Sequence, residues 1–152
     1  MTLRYYKRIP NLFFVAAFVL SFHTARSQSV MQKLKSNRQT SHFAQALEKA
    51  NLDNRLNGDG PFTLFAPTNQ AFDRLNASQK VDKKILLNHI FTGLASERSL
   101  EVMTEVTCLS GKTIKLKNID HGKSVSVGSY SIVNSNIKAD NGIIHVINGV
   151  IR

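Results

Sequence analysis

Cysteine is almost absent from this 152-residue chain, in which Cys108 stands alone. A single cysteine excludes an internal disulfide framework, so the burial of apolar side chains has to hold the fold together. Cys108 lies between Thr107 and Leu109, just before a predicted turn at Ser110-Gly111. A nucleophilic thiol needs a base within reach, and none is close in sequence. We therefore interpret Cys108 as a small buried apolar residue.

The N-terminal apolar stretch is too short for a membrane span. Residues 12–22 number eleven, with Ser21 the one interruption, whereas a span needs about 20 apolar residues. The stretch has the flanks of a secretory signal peptide, a basic head and two small residues: Arg4, Lys7 and Arg8, then Ala25 and Ser27. We predict a signal peptide over residues 1–27 and a secreted, periplasmic or cell-surface product. The alternative is a short buried helix.

Acidic residues are few, ten against twenty Lys and Arg, which gives a formal net charge of +10. Four basic residues and no acidic one leave with the signal peptide, so the remaining residues 28–152 carry +6. They contain no Arg-rich run interleaved with aromatic rings, the pattern that binds single-stranded nucleic acid. We interpret the charges as solvated surface and expect no specific nucleic-acid partner. The alternative is a salt-sensitive attraction to acidic polysaccharide, anionic lipid or nucleic acid.

Catalytic signatures are also missing. The sequence contains no Gly-x-Ser-x-Gly elbow, His-Glu-x-x-His pair or phosphate-binding glycine loop. We therefore expect neither an enzyme nor a cofactor. The remaining alternative is a hydrolase, which would need clustered carboxylates or a Ser–His contact in the fold.

The apolar pattern predicts helices first and strands later. Residues 28–39 are polar and basic and are predicted to form a flexible arm. Helical spacing of apolar residues follows over 41–51 and again from Ser78 to Gly93, and residues 62–66 predict a strand buried on both faces. From residue 113 the period changes to two. This order predicts an α+β domain of about one hundred residues.

Two histidines lie among apolar residues, and they allow two interpretations. His89 falls on the apolar line of a predicted helix, and His145 falls inside a predicted strand. A metal site needs three or four ligands, and the flanking residues offer none: Asn88, Ile90, Ile144 and Val146. We therefore predict buried neutral imidazoles with hydrogen-bonded nitrogens, and no metal.

The segment Ala66-Pro67-Thr68-Asn69 predicts a junction between a strand and a helix. Pro67 pushes the preceding residue into extended geometry and ends the strand. Thr68 or Asn69 then offers a side chain to cap the following helix. We interpret this motif, together with His145, as structural.

Several segments in this order resemble the fasciclin-like domain family. They are the helix with Ala46, Leu47 and Ala50, the run from Gly60 to Phe72, the central segment Ile85 to Gly93, the turn Leu109-Ser110-Gly111-Lys112, and the run Asn141 to Val150. The resemblance implies a domain over residues 40–152 built as a wedge of two β-sheets with helices packed along one side. The single copy is similar to a small bacterial secreted member.

The family resemblance also implies function. Members act in cell adhesion and matrix contact and share no catalytic activity. A central Tyr-His pair is linked to integrin binding in some animal members, and Asn88 stands here in the tyrosine position before His89. Asn136 and Asn148 stand where the family often has aspartate. By this resemblance the partner-binding residues are Asn88, His89 and Ile90.

These observations together predict a secreted, non-enzymatic binding module. Its expected partners are a cell-surface or matrix protein or a polysaccharide. The alternative is a carbohydrate- or polyanion-binding module that uses the basic surface.

Overall fold

The computed structural model describes residues 28–119 and 124–152, so the predicted signal peptide lies outside the described residues. The helices are α1 (Val30–Ser36), α2 (Ser41–Lys49), α3 (Asp53–Leu56), α4 (Asn69–Phe72), α5 (Ala77–Lys80), α6 (Lys83–Leu87) and α7 (Glu97–Val102). The strands are β1 (Phe62–Pro67), β2 (Ile90–Thr92), β3 (Glu105–Thr107), β4 (Thr113–Ile119), β5 (Ser124–Val127), β6 (Tyr130–Ala139) and β7 (Gly142–Ile147).

The seven strands follow one hydrogen-bonded order, β2-β1-β7-β6-β5-β4-β3. Neighbours are antiparallel except for β1 and β7, which run parallel. Helices dominate the first half of the described chain and strands the second, so the predicted α+β class is confirmed. The resemblance implies two β-sheets, and in this structure their strands follow one continuous hydrogen-bonded order. Register shifts between Ile132 and Ile137 in β6 mark where pairing is irregular, and such irregularities bend a strand.

Buried side chains form two clusters. The helical core joins the helices to one face of the sheet, with Leu34, Phe43, Leu47, Leu64, Phe72, Leu86 and Ile144 among its members. The strand core includes Phe65, Leu100, Val106, Ile114, Val125, Val127 and Ile147. Adjacent residues of a strand point to opposite faces, so Leu64 and Phe65 of β1 enter different cores. The predicted burial of this strand on both faces is confirmed.

The prediction of a flexible arm over residues 28–39 is wrong. This segment holds α1, and Val30, Met31 and Leu34 are at most 1% exposed. A capping box of Ser29 and Gln32 begins the helix, and the backbone N–H of Val30 donates to Asn141 Oδ1 at 2.9 Å. The sequence signal for this helix is weak because only three apolar residues stand among basic ones. Their spacing nevertheless places all three on one face of the helix. Residues 28–39 therefore belong to the folded domain, which extends beyond the predicted boundary at residue 40.

The single helix predicted from Ser78 to Gly93 is also wrong. The structure divides this segment into α5, α6 and β2. The Asp82 carboxylate accepts the backbone N–H groups of Lys84 at 2.8 Å and Ile85 at 3.4 Å, so it caps a new helix. His89 consequently lies between α6 and β2 instead of on a helix.

The two outer strands of the sheet meet. Phe91 of β2 forms an antiparallel bridge with Cys108, which directly follows β3. The backbone N–H of Leu109 donates to Ile90 O at 2.7 Å beside this bridge. Both outer strands are only three residues long, and the bridge ties one to the other.

Candidate functional site

The three predicted partner-binding residues are buried. Asn88, His89 and Ile90 are 2%, 0% and 1% exposed. A partner therefore cannot touch His89 or Ile90 in this arrangement, and the predicted surface contact is corrected to an interior position. The physical reason is that the segment crosses from α6 into β2 beneath the C-terminal residues.

His89 links three parts of the helical core. Its Nδ1 donates to Ile85 O at 2.8 Å, and its Nε2 accepts the backbone N–H of Ile151 at 3.0 Å. The ring also packs on Phe43, with centroids 5.2 Å apart. Burial lowers the pKa of His89 to about 4, against an opposing effect of the Ile85 hydrogen bond. The ring is therefore neutral at pH 7 and joins α6 to the C-terminal segment.

His145 occupies an equivalent position in the sheet. Its Nε2 donates to Ala95 O at 2.8 Å, and its Nδ1 lies 3.5 Å from the backbone N–H of Asn136. The ring stacks on Phe65 with centroids 5.9 Å apart. Burial lowers the pKa of His145, while the Ala95 hydrogen bond and the charge of Glu97 oppose that shift. Like His89, this ring has structural partners at both nitrogens.

The junction after β1 is a hydrogen-bonded corner. Thr68 Oγ1 accepts the backbone N–H of Ala71 at 3.2 Å, which caps α4 directly after Pro67. Asn69 accepts the backbone N–H of His42 at 3.0 Å and donates to Arg38 O at 2.8 Å. The side chain of Asn69 therefore holds the start of α2 in place, a long-range contact that sequence reasoning missed.

Asn141 is a second polar residue whose role sequence reasoning missed. Its Oδ1 accepts the backbone N–H of Val30, and its Nδ2 donates to Leu56 O at 2.7 Å and to Gly58 O at 2.9 Å. Asn141 precedes Gly142 in a turn before β7. This Asn-Gly pair was the sequence signal that could have revealed the role of Asn141, because such turns bring a short side-chain amide close to neighbouring backbone groups.

Cys108 is 4% exposed and lies in the strand core. Burial raises the pKa of its thiol to about 11, although the nearby Lys112 acts in the opposite direction. A thiol with so little thiolate at pH 7 is a poor nucleophile.

The described residues, 28–119 and 124–152, contain no group of three His, Cys, Asp or Glu side chains arranged to hold a metal ion. Within the same ranges no helix combines the length and apolar character that crossing a bilayer requires.

A surface pocket of about 510 Å³ lies beside Asn88. Lys84, Lys112 and Arg152 supply its positive charges and Asp82 its carboxylate, and we call this site the basic pocket. Asn88 lines it and donates from Nδ2 to Ile151 O at 3.1 Å. Its buried Oδ1 has no hydrogen-bond partner among the residues described. The basic pocket thus has cationic side chains on its surface and a buried, unsatisfied acceptor behind its wall.

A sequence model of the fasciclin domain matches residues 38–152. Protein sll1483 of Synechocystis is 32% identical over 146 residues, which cover 90% of this chain and 79% of the relative. The transforming growth factor-beta-induced protein ig-h3 of Sus scrofa is 30% identical over 132 residues, which cover 82% of this chain but 19% of that protein.

The fold is also similar to a solved structure. A domain pair from the insect cell adhesion molecule Fasciclin I aligns with a TM-score of 0.69 at 18% identity. The alignment covers 82% of this chain and 51% of that one, so the chain matches about half of the pair.

Proposed function

The chain belongs to the fasciclin domain family, and we propose that it is a secreted, non-enzymatic binding module that contacts cell-surface or matrix partners. The observation that carries the proposal is the family match over residues 38–152. Fasciclin I, whose domain pair has a similar fold, is a cell adhesion molecule, and this supports the same kind of function here.

The chemistry of the interior supports a role without turnover. His89 and His145 are 0% exposed, and their ring nitrogens are engaged by backbone groups of the fold. Neither is placed to move a proton on a bound substrate, because a general base must reach the group that it deprotonates. Binding would then depend on the shape and charge of the surface.

Secretion is tested by expressing the full chain and sequencing the N-terminus of the product. We expect the exported protein to begin at Gln28, after removal of residues 1–27. A product that keeps Met1 and stays in the cytosol would contradict the proposed localisation.

Contact with surfaces is tested by immobilising the protein recovered from that expression and counting adherent sister cells. We expect more cells on the folded protein than on an equal coat of the same protein after irreversible heat denaturation. Protease treatment of the cells separates protein partners from polysaccharide, since only a protein partner would be destroyed. Equal cell counts on folded and denatured coats would refute the proposal.

The basic pocket favours one of the two partner classes. Its three cationic side chains support the carbohydrate or polyanion alternative more specifically than the spread of charge over the whole chain does.

A further inference from the structure

We propose that the basic pocket binds an acidic polysaccharide, a polymer whose sugars carry carboxylates beside free hydroxyl groups. This inference rests on the proposed function, because it names the partner class and the place on the surface where a secreted binding module would hold it.

The first argument is the charge of the pocket. Lys84 comes from α6, Lys112 from the loop before β4, and Arg152 from the C-terminal segment. The Nζ of Lys112 donates to the main-chain O of Arg152, which holds two of these residues together. The carboxylate of Asp82 is engaged by the backbone N–H groups that it caps. A cleft with an excess of one charge concentrates ligands of the opposite charge.

The second argument is the unsatisfied oxygen of Asn88. Buried acceptors nearly always have a donor, so Oδ1 without one marks a place where a donor is missing. A sugar hydroxyl can supply that donor, whereas a fully ionised phosphate or sulfate cannot. The oxygen is covered in this structure, so a ligand reaches it only if part of the pocket wall moves outward. The pairing of cations with an acceptor therefore favours an acidic sugar over a simple anion.

The third argument is the continuity of the surface. Arg152 also lines a smaller neighbouring depression of about 140 Å³, together with Arg74 and Tyr130. The ring of Tyr130 lies against Gly149, where an added Cβ would come within 1.9 Å of it. This adds a further cation and a fixed aromatic ring beside the basic pocket. A linear polymer can occupy both depressions, which a single sugar cannot.

The test uses purified polygalacturonate as the probe and the protein recovered from expression of the full chain. Calorimetric titration should show binding at low salt that weakens at least about tenfold between about 0.02 M and about 0.5 M NaCl. Neutral dextran should show no binding. Absence of polygalacturonate binding at low salt would overturn the proposal.

Matched variants locate the site. The double variant Lys84→Ala/Lys112→Ala should lose at least about tenfold in affinity, because both residues line the basic pocket and supply two of its three cations. Lys33→Ala/Lys49→Ala removes the same charge from α1 and α2, outside the basic pocket, and should change affinity less than about twofold. Equal losses in the two double variants would show diffuse attraction and overturn the site.

Changing the ligand tests the role of Asn88 without changing the protein. Polygalacturonate with acetylated hydroxyls keeps its carboxylates but loses its donors, so it should bind several-fold more weakly than the unmodified polymer. Polyphosphate, which lacks sugar hydroxyls, should also bind more weakly. If all three polymers bound equally well, the basic pocket would be a simple anion site, and the assignment to acidic sugars would be overturned.

The outcome is separable from that of the proposed function. If the folded protein retains sister cells but does not bind polygalacturonate, the binding module stands and this inference fails. If it binds the polymer but retains no cells, the pocket stands and the role in cell contact fails.

Discussion

The two halves of the molecule each enclose one histidine, and they hold it differently. In the helical half, His89 has hydrogen bonds of 2.8 and 3.0 Å to main-chain groups far apart in sequence. In the strand half, His145 has one bond of 2.8 Å and one contact of 3.5 Å, with the charge of Glu97 nearby. The same residue type therefore forms two short hydrogen bonds in the helical half, and one short and one long contact in the strand half.

Removing each ring tests this difference most directly. His89→Ala leaves Ile85 O and the N–H of Ile151 without partners and opens a cavity, so we expect a loss of about 3 kcal/mol in the free energy of unfolding. His145→Ala should cost less, because one of its two contacts is long. Urea unfolding measures both, with His42→Ala as the control, which should cost less than about 1 kcal/mol because its contact with Asp73 is exposed to solvent. A larger loss for His145→Ala would reverse the comparison.

Lowering the pH should also affect the contributions of the two histidines to stability differently. The pKa of His89 is about 4 in the folded protein and near 6.5 when unfolded, so the unfolded state binds more protons between these values. Stability is complete above pH 6.5 and falls as the pH drops towards 4, by about 3 kcal/mol for this group. Between pH 7.5 and about pH 5, the measured free energy of unfolding should fall by about 2 kcal/mol of this total.

The matched variants for this pH series are His89→Gln and His145→Gln. His89→Gln should flatten the pH dependence more than His145→Gln does, since Glu97 partly offsets the shift at His145. A wild-type protein whose stability stays constant from pH 7.5 to about pH 5 would contradict the buried neutral state of both rings.

A smaller effect concerns the surface beside His145. Asn136 Nδ2 donates to Glu97 Oε2 at 3.2 Å, so Asn136→Asp would set two carboxylates against each other. We expect a loss of about 1 kcal/mol in low salt, because the site is exposed. Adding Glu97→Gln should recover part of it in a double-mutant cycle measured by urea unfolding. Additive losses would show that these two side chains do not interact.

The last prediction concerns the chemical reactivity of Cys108 in the strand core. Its pKa of about 11 leaves roughly one hundredfold less thiolate at pH 8 than an unfolded cysteine has. Iodoacetamide should therefore label the folded protein at least about one hundredfold more slowly than the protein in urea. Comparable labelling rates in the two states would show that the segment around Cys108 opens readily in the folded protein.

Local patterns predicted much of this fold. The apolar run before Pro67 predicted β1 correctly, since a short run between turn residues and a proline leaves few alternatives. The α1 segment was missed because Val30, Met31 and Leu34 are buried by packing against other elements, including α2, β6 and β7, which a local pattern does not show. The cap formed by Asp82 was missed for a local reason, since helical spacing continues across it.

The candidate site was less accessible to sequence reasoning. Sequence reasoning predicted a partner contact at Asn88, His89 and Ile90, but His89 and Ile90 face inward because the C-terminal residues cover them. The basic pocket could not be found from the chain alone. Lys84, Lys112 and Arg152 are separated by tens of residues, and only the fold brings them to one cavity.

The bridge between Phe91 and Cys108 has a consequence for how other molecules can attach. Many extracellular partners dock by lending an extended peptide to an unpaired sheet margin, where main-chain groups supply the affinity. Here the outermost strands are three residues long and tied together beside Cys108, which leaves little margin for an incoming peptide. The same arrangement protects against templated polymerisation at high protein concentration. A partner would therefore be bound through the side chains of this protein rather than as an added strand.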